Sequence, residues 1–460
     1  MEETTYPVKI GLEVHGYLDT KEKLFCKCST DSDDAQNSHI CPICTGTPGS
    51  KPMAPNLSAV KKMIQLALVF DSKISYDKVI WQRKHYNWAD NPKGYQTTIS
   101  GAHAVVNASS GKFKGINLTE IHLEEDPAQW NPETGRINYN RSGLPLIEIV
   151  TEPEFHNSED VVTWLKDLLL SLSYIKAVRK NAGIKVDVNV STYGERVEMK
   201  NLNSLEKIKK AINYEILRQV ENHKKGIVQT RDTLAFDEKQ GITIKMRSKE
   251  GASDYRFIPD PDLPQLKITK KLVSEVKGTL PEMPETKLAR LLDEHHVDEK
   301  NAKVLTRNLE LVEFFEELIN EGIDIKKGLS WVTIELLRVL NYNKKTLEDA
   351  DVEILPTHLA ELIKAANDSK ITVLKAKQIM NDFVPKSFSL ADHADEVSNI
   401  SEEAIENLCH QVIDENAHVV SDYKGGKTAS LNFLIGQVMR LSNRRADFKS
   451  ATEVMKRLIG

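Results

Sequence analysis

A cysteine pattern near the start restricts the fold of this chain more than any other feature: Cys26-x-Cys28, twelve intervening residues, then Cys41-x-x-Cys44. Two close pairs joined by a short loop are what a tetrahedral zinc site requires. Zn–S bonds of about 2.3 Å demand sulfurs brought together by tight turns. Pro42 and the glycines of TGTPG supply turn chemistry that aims the second pair. With four cysteine ligands the site is closed and structural, with no open position for substrate. His39, Asp33 and Asp34 lie in the loop and are alternative donors, and buried free thiols are the plainer reading. Disulfides are disfavoured, because the chain has five cysteines in 460 residues and four of them sit in metal spacing, as in a reducing compartment.

Just upstream, Ile10, Leu12, Val14 and Leu18 alternate with Gly11, Glu13, His15 and Tyr17. That period of two sends alternate side chains to opposite faces of a strand. One face is aliphatic, and the other carries an oxygen and a nitrogen ligand side by side. The design returns downstream. INLTEIHLEEDPAQW ends an alternating strand on Glu124, Glu125 and Asp126, a cluster that would otherwise be a solvated strand end. In LPLIEIV, Glu148 opposes Ile147 and Ile149, with Glu152 on its own side. In GIKVDVNVS, Ile184, Val186, Val188 and Val190 form one face and Lys185, Asp187, Asn189 and Ser191 the other. Tyr193-Gly194 reads as a turn, and the returning strand sets Glu198 and Lys200 on a common face.

Carboxylates inside such apolar strands are costly unless paired or bound to a cation. A sheet with a carboxylate, amide and lysine face suits Mg²⁺, which takes carboxylate and water oxygens and lets substrate phosphate complete its shell. Between these strands, WQRKHYNWADNPKGYQTT offers Arg83, Lys84, Lys93 and Gly94 to phosphates, or is a solvated loop. Asn203-x-x-Glu206 reads as a capping box opening a helix to about Val220, and a helix is also expected near Leu57–Phe70.

At 460 residues the chain exceeds one core, and two to four domains are expected. After Glu285 the texture becomes helical. Leu311, Phe314, Phe315 and Leu318 recur at helical spacing before Gly322, as do Leu359, Leu362, Ile363 and Ala366, then Ala376, Ile379, Met380 and Phe383. Pro385 to about Ile400 reads as a joint. Cys409 lies on an apolar face with Ile405, Leu408 and Val412, which makes it a packing residue. The formal net charge of −5 argues against wholesale coating by nucleic acid. A local basic surface of Lys424, Lys427, Arg440, Arg444, Arg445 and Lys449 surrounds the stripe Leu431, Leu434, Ile435 and Val438, and serves either RNA contact or solubility. No run of about eighteen apolar residues exists and the start Met1-Glu2-Glu3 is acidic, so a cytosolic protein is expected.

IGLEVHGYLDTKEKLFCKC followed by CPICTGTPGSKPMAPN closely resembles the B subunit of the tRNA-dependent aspartyl/glutamyl amidotransferase, nearer its archaeal wording, and the likeness runs along essentially the whole chain. The resemblance implies an α+β architecture: a mixed-sheet cradle with the zinc knot over residues 1–290, a helical domain over 291–397 and a small helical tRNA-binding tail over 398–460. It implies that ATP phosphorylates the side-chain carboxylate of Asp-tRNA(Asn) and/or Glu-tRNA(Gln), and that ammonia from a glutaminase partner displaces the phosphate. The partners implied are the amidase A subunit and a small C subunit. By the same analogy the Mg²⁺ ligands and catalytic residues are Glu13, His15, Glu125 and Glu148, with Glu124 the alternative to Glu125. His15 is an unusual ligand for so hard an ion and acts through water if at all. RKxY and PKGYQ match a signature lining the synthetic site. Lys84, Lys93, Lys200 and Arg247 are the expected nucleotide contacts, with Lys249 and Arg256 further candidates. No amidase signature or glutaminase nucleophile is present, so ammonia is expected to come from elsewhere, and the length leaves no room for the insertion that marks the related archaeal E subunit. A zinc-stabilised scaffold that merely presents tRNA is the alternative reading.

Overall fold

The alternating stretches become strands of one large mixed sheet. In the computed structural model, which describes residues 7–31, 34–76, 78–179, 183–248, 255–393 and 400–460, the strands in chain order are β1 (Lys9–Tyr17), β2 (Lys73–Ile74), β3 (Gln82–His85), β4 (Tyr95–Thr98), β5 (Ala108–Phe113), β6 (Ile116–Glu125), β7 (Gln129–Trp130), β8 (Ile137–Asn138), β9 (Pro145–Thr151), β10 (Ile184–Ser191), β11 (Val197–Leu202), β12 (Asp232–Asp237), β13 (Ile242–Ser248) and β14 (Arg256–Pro259). Across the sheet the order is β13-β12-β11-β10-β1-β9-β6-β4-β3-β14, with β5 and β2 continuing from β6 and β7–β8 a separate hairpin. Neighbours are antiparallel except β11 and β12, which run parallel.

Burial follows the period of two. Ile10, Leu12, Val14, Ile147, Ile149, Val186, Val188 and Val190 are buried in one core. Helices pack into that core: α1 (Leu57–Val69), α2 (Ser158–Tyr174) and α3 (Leu205–Lys224), through residues such as Met63, Ile64, Leu165, Leu168, Ile208 and Ile212. Each such side chain contributes about 1.5–3 kcal/mol, so a one-residue slip of any central strand would exchange its aliphatic set for its carboxylates. The opposite, polar face is nonetheless largely shielded: His122, Glu124, Asp187 and Glu198 are buried.

Helix starts are locally encoded. The Asn56 side chain accepts from the Ser58 and Ala59 amides and opens α1. The expected capping box at Asn203 is displaced by one residue: Ser204, in extended conformation, accepts from the Lys207 amide at 3.2 Å and is the cap of α3. Glu206 pairs instead with Lys210 one turn on. The helix runs past Val220 to Lys224, where His223 and Lys224 oppose the negative end of its dipole.

Backbone contacts separate Met1–Met283 from Pro284–Gly460. The second unit is helical. Leu311, Phe314, Phe315 and Leu318 are buried on Leu309–Asn320, and Leu359, Leu362 and Ile363 on Pro356–Asn367. Phe383 falls beyond the helix Val373–Asn381 but is still buried. Further on, Glu402–Glu415, Ala429–Leu441 and Phe448–Ile459 enclose a core of Ile405, Cys409, Val412, Leu434, Ile435, Val438 and Met455. Among the described residues no helix is long and apolar enough to cross a membrane.

Candidate active site

Two turns bring the four thiols together. The Thr45 amide donates to the Cys41 carbonyl and that of Gly46 to Ile43, closing the second pair. Gly46 has φ +68°, and a Cβ there would sit 2.6 Å from the Pro92 carbonyl oxygen, so glycine is required. The Sγ atoms of Cys26, Cys28, Cys41 and Cys44 all lie within 4.8 Å of one another. The Cys41–Cys44 separation is 3.9 Å, against the ~3.8 Å edge of a tetrahedron with Zn–S bonds of about 2.3 Å. The donor set therefore fits zinc. A hydrogen bond from Cys26, chief among several effects, lowers the Cys44 thiol to about 5, while burial raises Cys28 to about 11; the hydrogen bond with Cys44 and burial raise Cys26. His39 turns to Asp34 instead, at 2.5 Å, and Asp33 lies outside the described residues. Buried Lys23 donates to the carbonyls of His39 and Tyr139, and Asn37 and Asn140 tie the loop to the β7–β8 hairpin.

Register assembles the polar face of the sheet. His122, Glu148, His15 and Lys185 occupy one rung, through the pairs His122↔Glu148, His15↔Glu148 and His15↔Lys185. On the next rung Glu13 faces Asp187, and one rung further Asn189 faces Glu198, which faces Thr233. Cross-strand neighbours of this kind lie about 4.5–5.5 Å apart at Cβ. Two groups of ligand atoms result, each within 4.8 Å: His15 with Glu124 and Glu148, and Glu13 with Asp187 and Glu198.

The first group is strongly polarised. Glu148 Oε2 lies 3.4 Å from His15 Nε2 and 3.1 Å from His122 Nε2, while His122 Nδ1 is 3.1 Å from Glu120. Burial works against both imidazoliums, but Glu148 outweighs it, raising His15 to about 9 and His122 to about 10. Burial would raise Glu148 too, and the two imidazoliums instead hold it well below the usual carboxylate range. Glu124 is raised by burial and by Glu148. In the second group Lys200 Nζ is 2.7 Å from Asp187 and 3.2 Å from Glu198; these carboxylates overcome burial and raise its pKa. Glu13 is raised by burial and then by Glu148 and Glu198, and it accepts from Asn189 at 3.1 Å. In the second group three carboxylates face one ammonium, an excess that suits a cation, whereas in the first two imidazoliums offset Glu148.

A cavity of ≈ 180 Å³ opens beside the first group, bounded by His15, Glu124, Lys84, Lys185 and Arg141. Arg141 is committed, through two nitrogens, to Asp126, which also accepts from Tyr17 at 2.7 Å. Lys185 lies over the Tyr17 ring, and burial lowers its pKa. Of the expected metal ligands, Glu125 stands apart: its carboxylate accepts from Lys93 and from the Thr97 amide, so Glu124 rather than Glu125 joins His15 and Glu148. Lys93 is thereby neutralised. Lys200 belongs to the second carboxylate group, and Lys84 lines the cavity with its ammonium over Tyr255. Arg83 is held by Asp260 and Asp262. Arg247 pairs with Thr233 in the β13 backbone, its side chain lying outside the described part of the molecule, as does all of Lys249; Arg256 is exposed on β14. Sequence reasoning missed His122 and Glu120 and did not assign Asp187 and Glu198 as ligands. The face they share with Glu124 on β6, Lys185 on β10 and Lys200 on β11 was the available signal.

Comparison with known proteins bears on this geometry. Residues 8–274 match the family described as the GatB/GatE catalytic domain, and residues 313–459 match the GatB domain. Curated proteins named as the B subunit of an aspartyl/glutamyl-tRNA(Asn/Gln) amidotransferase are similar over nearly their whole length. The one from Methanothermobacter thermautotrophicus is 40% identical, covering 98% of this chain and 100% of that protein. Those from Methanocaldococcus jannaschii and Methanopyrus kandleri are 41% and 40% identical, covering 98% of this chain and 97% and 98% of theirs.

Proposed function

We propose a function from one premise: this chain belongs to the GatB/GatE family of amidotransferase B subunits. It phosphorylates the side-chain carboxylate of Asp or Glu mischarged on tRNA(Asn) or tRNA(Gln), with ATP as donor. The carboxylate oxygen attacks the γ-phosphorus and ADP leaves. Ammonia then attacks the acyl carbon, phosphate departs, and a proton is lost to give the amide. The observation that carries this reading is the pair of carboxylate groups on the polar sheet face, the first of them beside a cavity lined by Lys84, Lys185 and Arg141.

A carboxylate is a poor electrophile, and phosphorylation supplies the leaving group it lacks. Glu124 and Glu148 in one group, and Glu13, Asp187 and Glu198 in the other, would hold hard divalent cations, with His15 in contact once it gives up its proton or through water. Magnesium so bound supplies electrostatic relief of the charge gathering on the phosphates. Lys84 and Lys185 bind phosphate oxygens across the cavity, and Arg141 with Asp126 and Tyr17 keeps its wall rigid. His122 and Glu120 orient Glu148. Zinc at the four cysteines has no open position and holds the loop beside the site in shape. Ammonia comes from an amidase A subunit, with a small C subunit in the complex, and the helical tail from about residue 398 contacts the body of the tRNA.

Glu148→Gln tests the reading. With the amidase partner and mischarged tRNA, the variant should still assemble and bind tRNA but lose tRNA-dependent release of ADP from ATP. Full turnover would mean that the carboxylate face is not catalytic, and the tRNA-presenting scaffold would be the better account.

A further inference from the structure

The cations near the first carboxylate group are held in two different ways. Arg83, Lys93 and Arg141 each meet a carboxylate, of Asp260, Glu125 and Asp126. Lys84 meets a ring instead. Its Nζ lies 4.7 Å from the centroid of Tyr255, and among the described residues no carboxylate stands within ion-pair distance of it. Lys185 reaches only the outer limit of such a contact, 5.7 Å from the Tyr17 centroid. Lys84 is nevertheless felt at the site. Glu124 is raised by burial and by Glu148, and the Lys84 charge is the largest influence in the other direction, ahead of both histidines.

Strand register puts ring and ammonium on the cavity side of the sheet. Lys84 pairs with Gln96 on β4 and with Phe257 on β14, and Lys84, Gln96 and Glu124 all line the cavity. By the period of two, Tyr255 shares the face of Phe257, one step beyond the Arg256↔His85 pair and so opposite Tyr86. The rings brace one another. Tyr255 meets Tyr86 edge to face with centroids 5.9 Å apart, and Phe257 at 6.4 Å. Phe257 is fixed in turn by Gly101, which has φ +109° and where a Cβ would come within 2.5 Å of the ring. His85 Nδ1, 3.2 Å from the Arg256 carbonyl oxygen, ties the start of β14 to β3. Tyr255 is thus held by its neighbours before any ligand arrives.

A lysine has a long flexible stem, and a phosphate would have to order it at every turnover. A carboxylate partner would fix the stem but cancel the charge. An aromatic face does the first without the second, because it attracts the ammonium and leaves its charge and its N–H donors for a ligand. We infer that Tyr255 is a positioning residue for the phosphorylation step: its ring, braced by Tyr86 and Phe257, keeps the Lys84 ammonium at the cavity wall and uncancelled for phosphate oxygens. The inference rests on the ATP-dependent reading above and adds the group that places its phosphate-binding lysine in advance. Tyr255 acts through Lys84.

The test is tRNA-dependent release of ADP by the full-length chain assembled with its amidase partner and given mischarged tRNA, read as kcat/KM for ATP. Tyr255→Leu should lower it roughly 3- to 30-fold, the range a cation–π contact spans. Tyr255→Phe keeps the ring and loses only the hydroxyl, and should restore most of the rate. Lys84→Met should cost at least as much as Tyr255→Leu, and combining the two should cost nothing further. Should Tyr255→Leu fail to assemble, Tyr255→Met takes its place in the same series. A Tyr255→Phe variant as poor as Tyr255→Leu would assign the effect to the hydroxyl. Losses that add in the double variant would make Tyr255 a support of β14 or a substrate contact in its own right. Either result overturns the inference, as does full turnover in Lys84→Met, and all three leave the phosphorylation reading standing. A wild-type complex that releases no ADP in response to mischarged tRNA would sink that reading, and the inference with it.

Discussion

Replacing Glu148 by Gln should destabilise the cation-free protein in a way that depends on pH. The carboxylate faces His15 at 3.4 Å and His122 at 3.1 Å, and its side chain is only 15% exposed. His15 is raised from 6.5 to about 9 chiefly against burial and by Glu148. At pH 7 that difference contributes roughly 2–3 kcal/mol to folding, by proton linkage. His122 retains Glu120 in the variant and loses only part of its own contribution. The sum agrees with the ~3–5 kcal/mol typical of breaking a buried charge pair. Linkage also sets the sign. A raised histidine stabilises fully below its unfolded value of 6.5 and loses that contribution as pH rises through the folded value. The gap between wild type and Glu148→Gln should therefore be widest below about pH 6.5 and narrow by roughly 3 kcal/mol by pH 9.5. Urea unfolding with excess chelator, followed by the tryptophans of the sheet unit, would measure it. A gap that is constant over this range, or widens with pH, would refute the imidazolium–carboxylate assignment.

Glu124→Gln should weaken Mn²⁺ binding measured by electron paramagnetic resonance by an order of magnitude or more. Glu125→Gln should leave that binding nearly intact, because its carboxylate is spent on Lys93 and the Thr97 amide. Cys44→Ser should reduce elemental zinc from about one per chain towards none and unfold the loop held by Lys23 and Asn140; a full complement of zinc in that variant would exclude the four-sulfur site. Arg141→Met should cost about 3–5 kcal/mol, since among the described residues it leaves buried Asp126 with the Tyr17 hydroxyl as its side-chain hydrogen-bond partner. Deletion after Ile400 should weaken tRNA binding and lower its salt slope by roughly one unit or less per lost phosphate contact; unchanged affinity would reduce the tail's basic residues to a solvated surface.

The residues most legible in the sequence are those whose role is set by local periodicity. Ile10 to Leu18, Ile184 to Val190 and Leu431 to Val438 each declare a face, and burial follows that declaration. Register is different, because it depends on which strand lies beside which, and β1 sits between β9 and β10, both more than a hundred residues away in sequence. Alternation on β6 puts His122 and Glu124 on the face that Glu148 shares. Only the pairing of His122 with Glu148 turns a plain core histidine into the partner that keeps Glu148 ionised. The choice between Glu124 and Glu125 was undecidable from the triplet of acids for the same reason. Neighbouring residues on a strand point oppositely, and which one meets His15 follows from Thr98↔Glu124 and Glu124↔Leu146. Cations posed the harder problem. Lys93, Lys200 and Arg83 look alike as free phosphate ligands in one dimension, and folding pairs each with a carboxylate, of Glu125, Asp187 and Asp260. Lys185, set among valines and drawn as an ordinary polar-face residue, remains at the cavity wall beside His15. A phosphate-binding lysine is therefore better sought among the cations that folding leaves unmatched than among those that cluster in sequence.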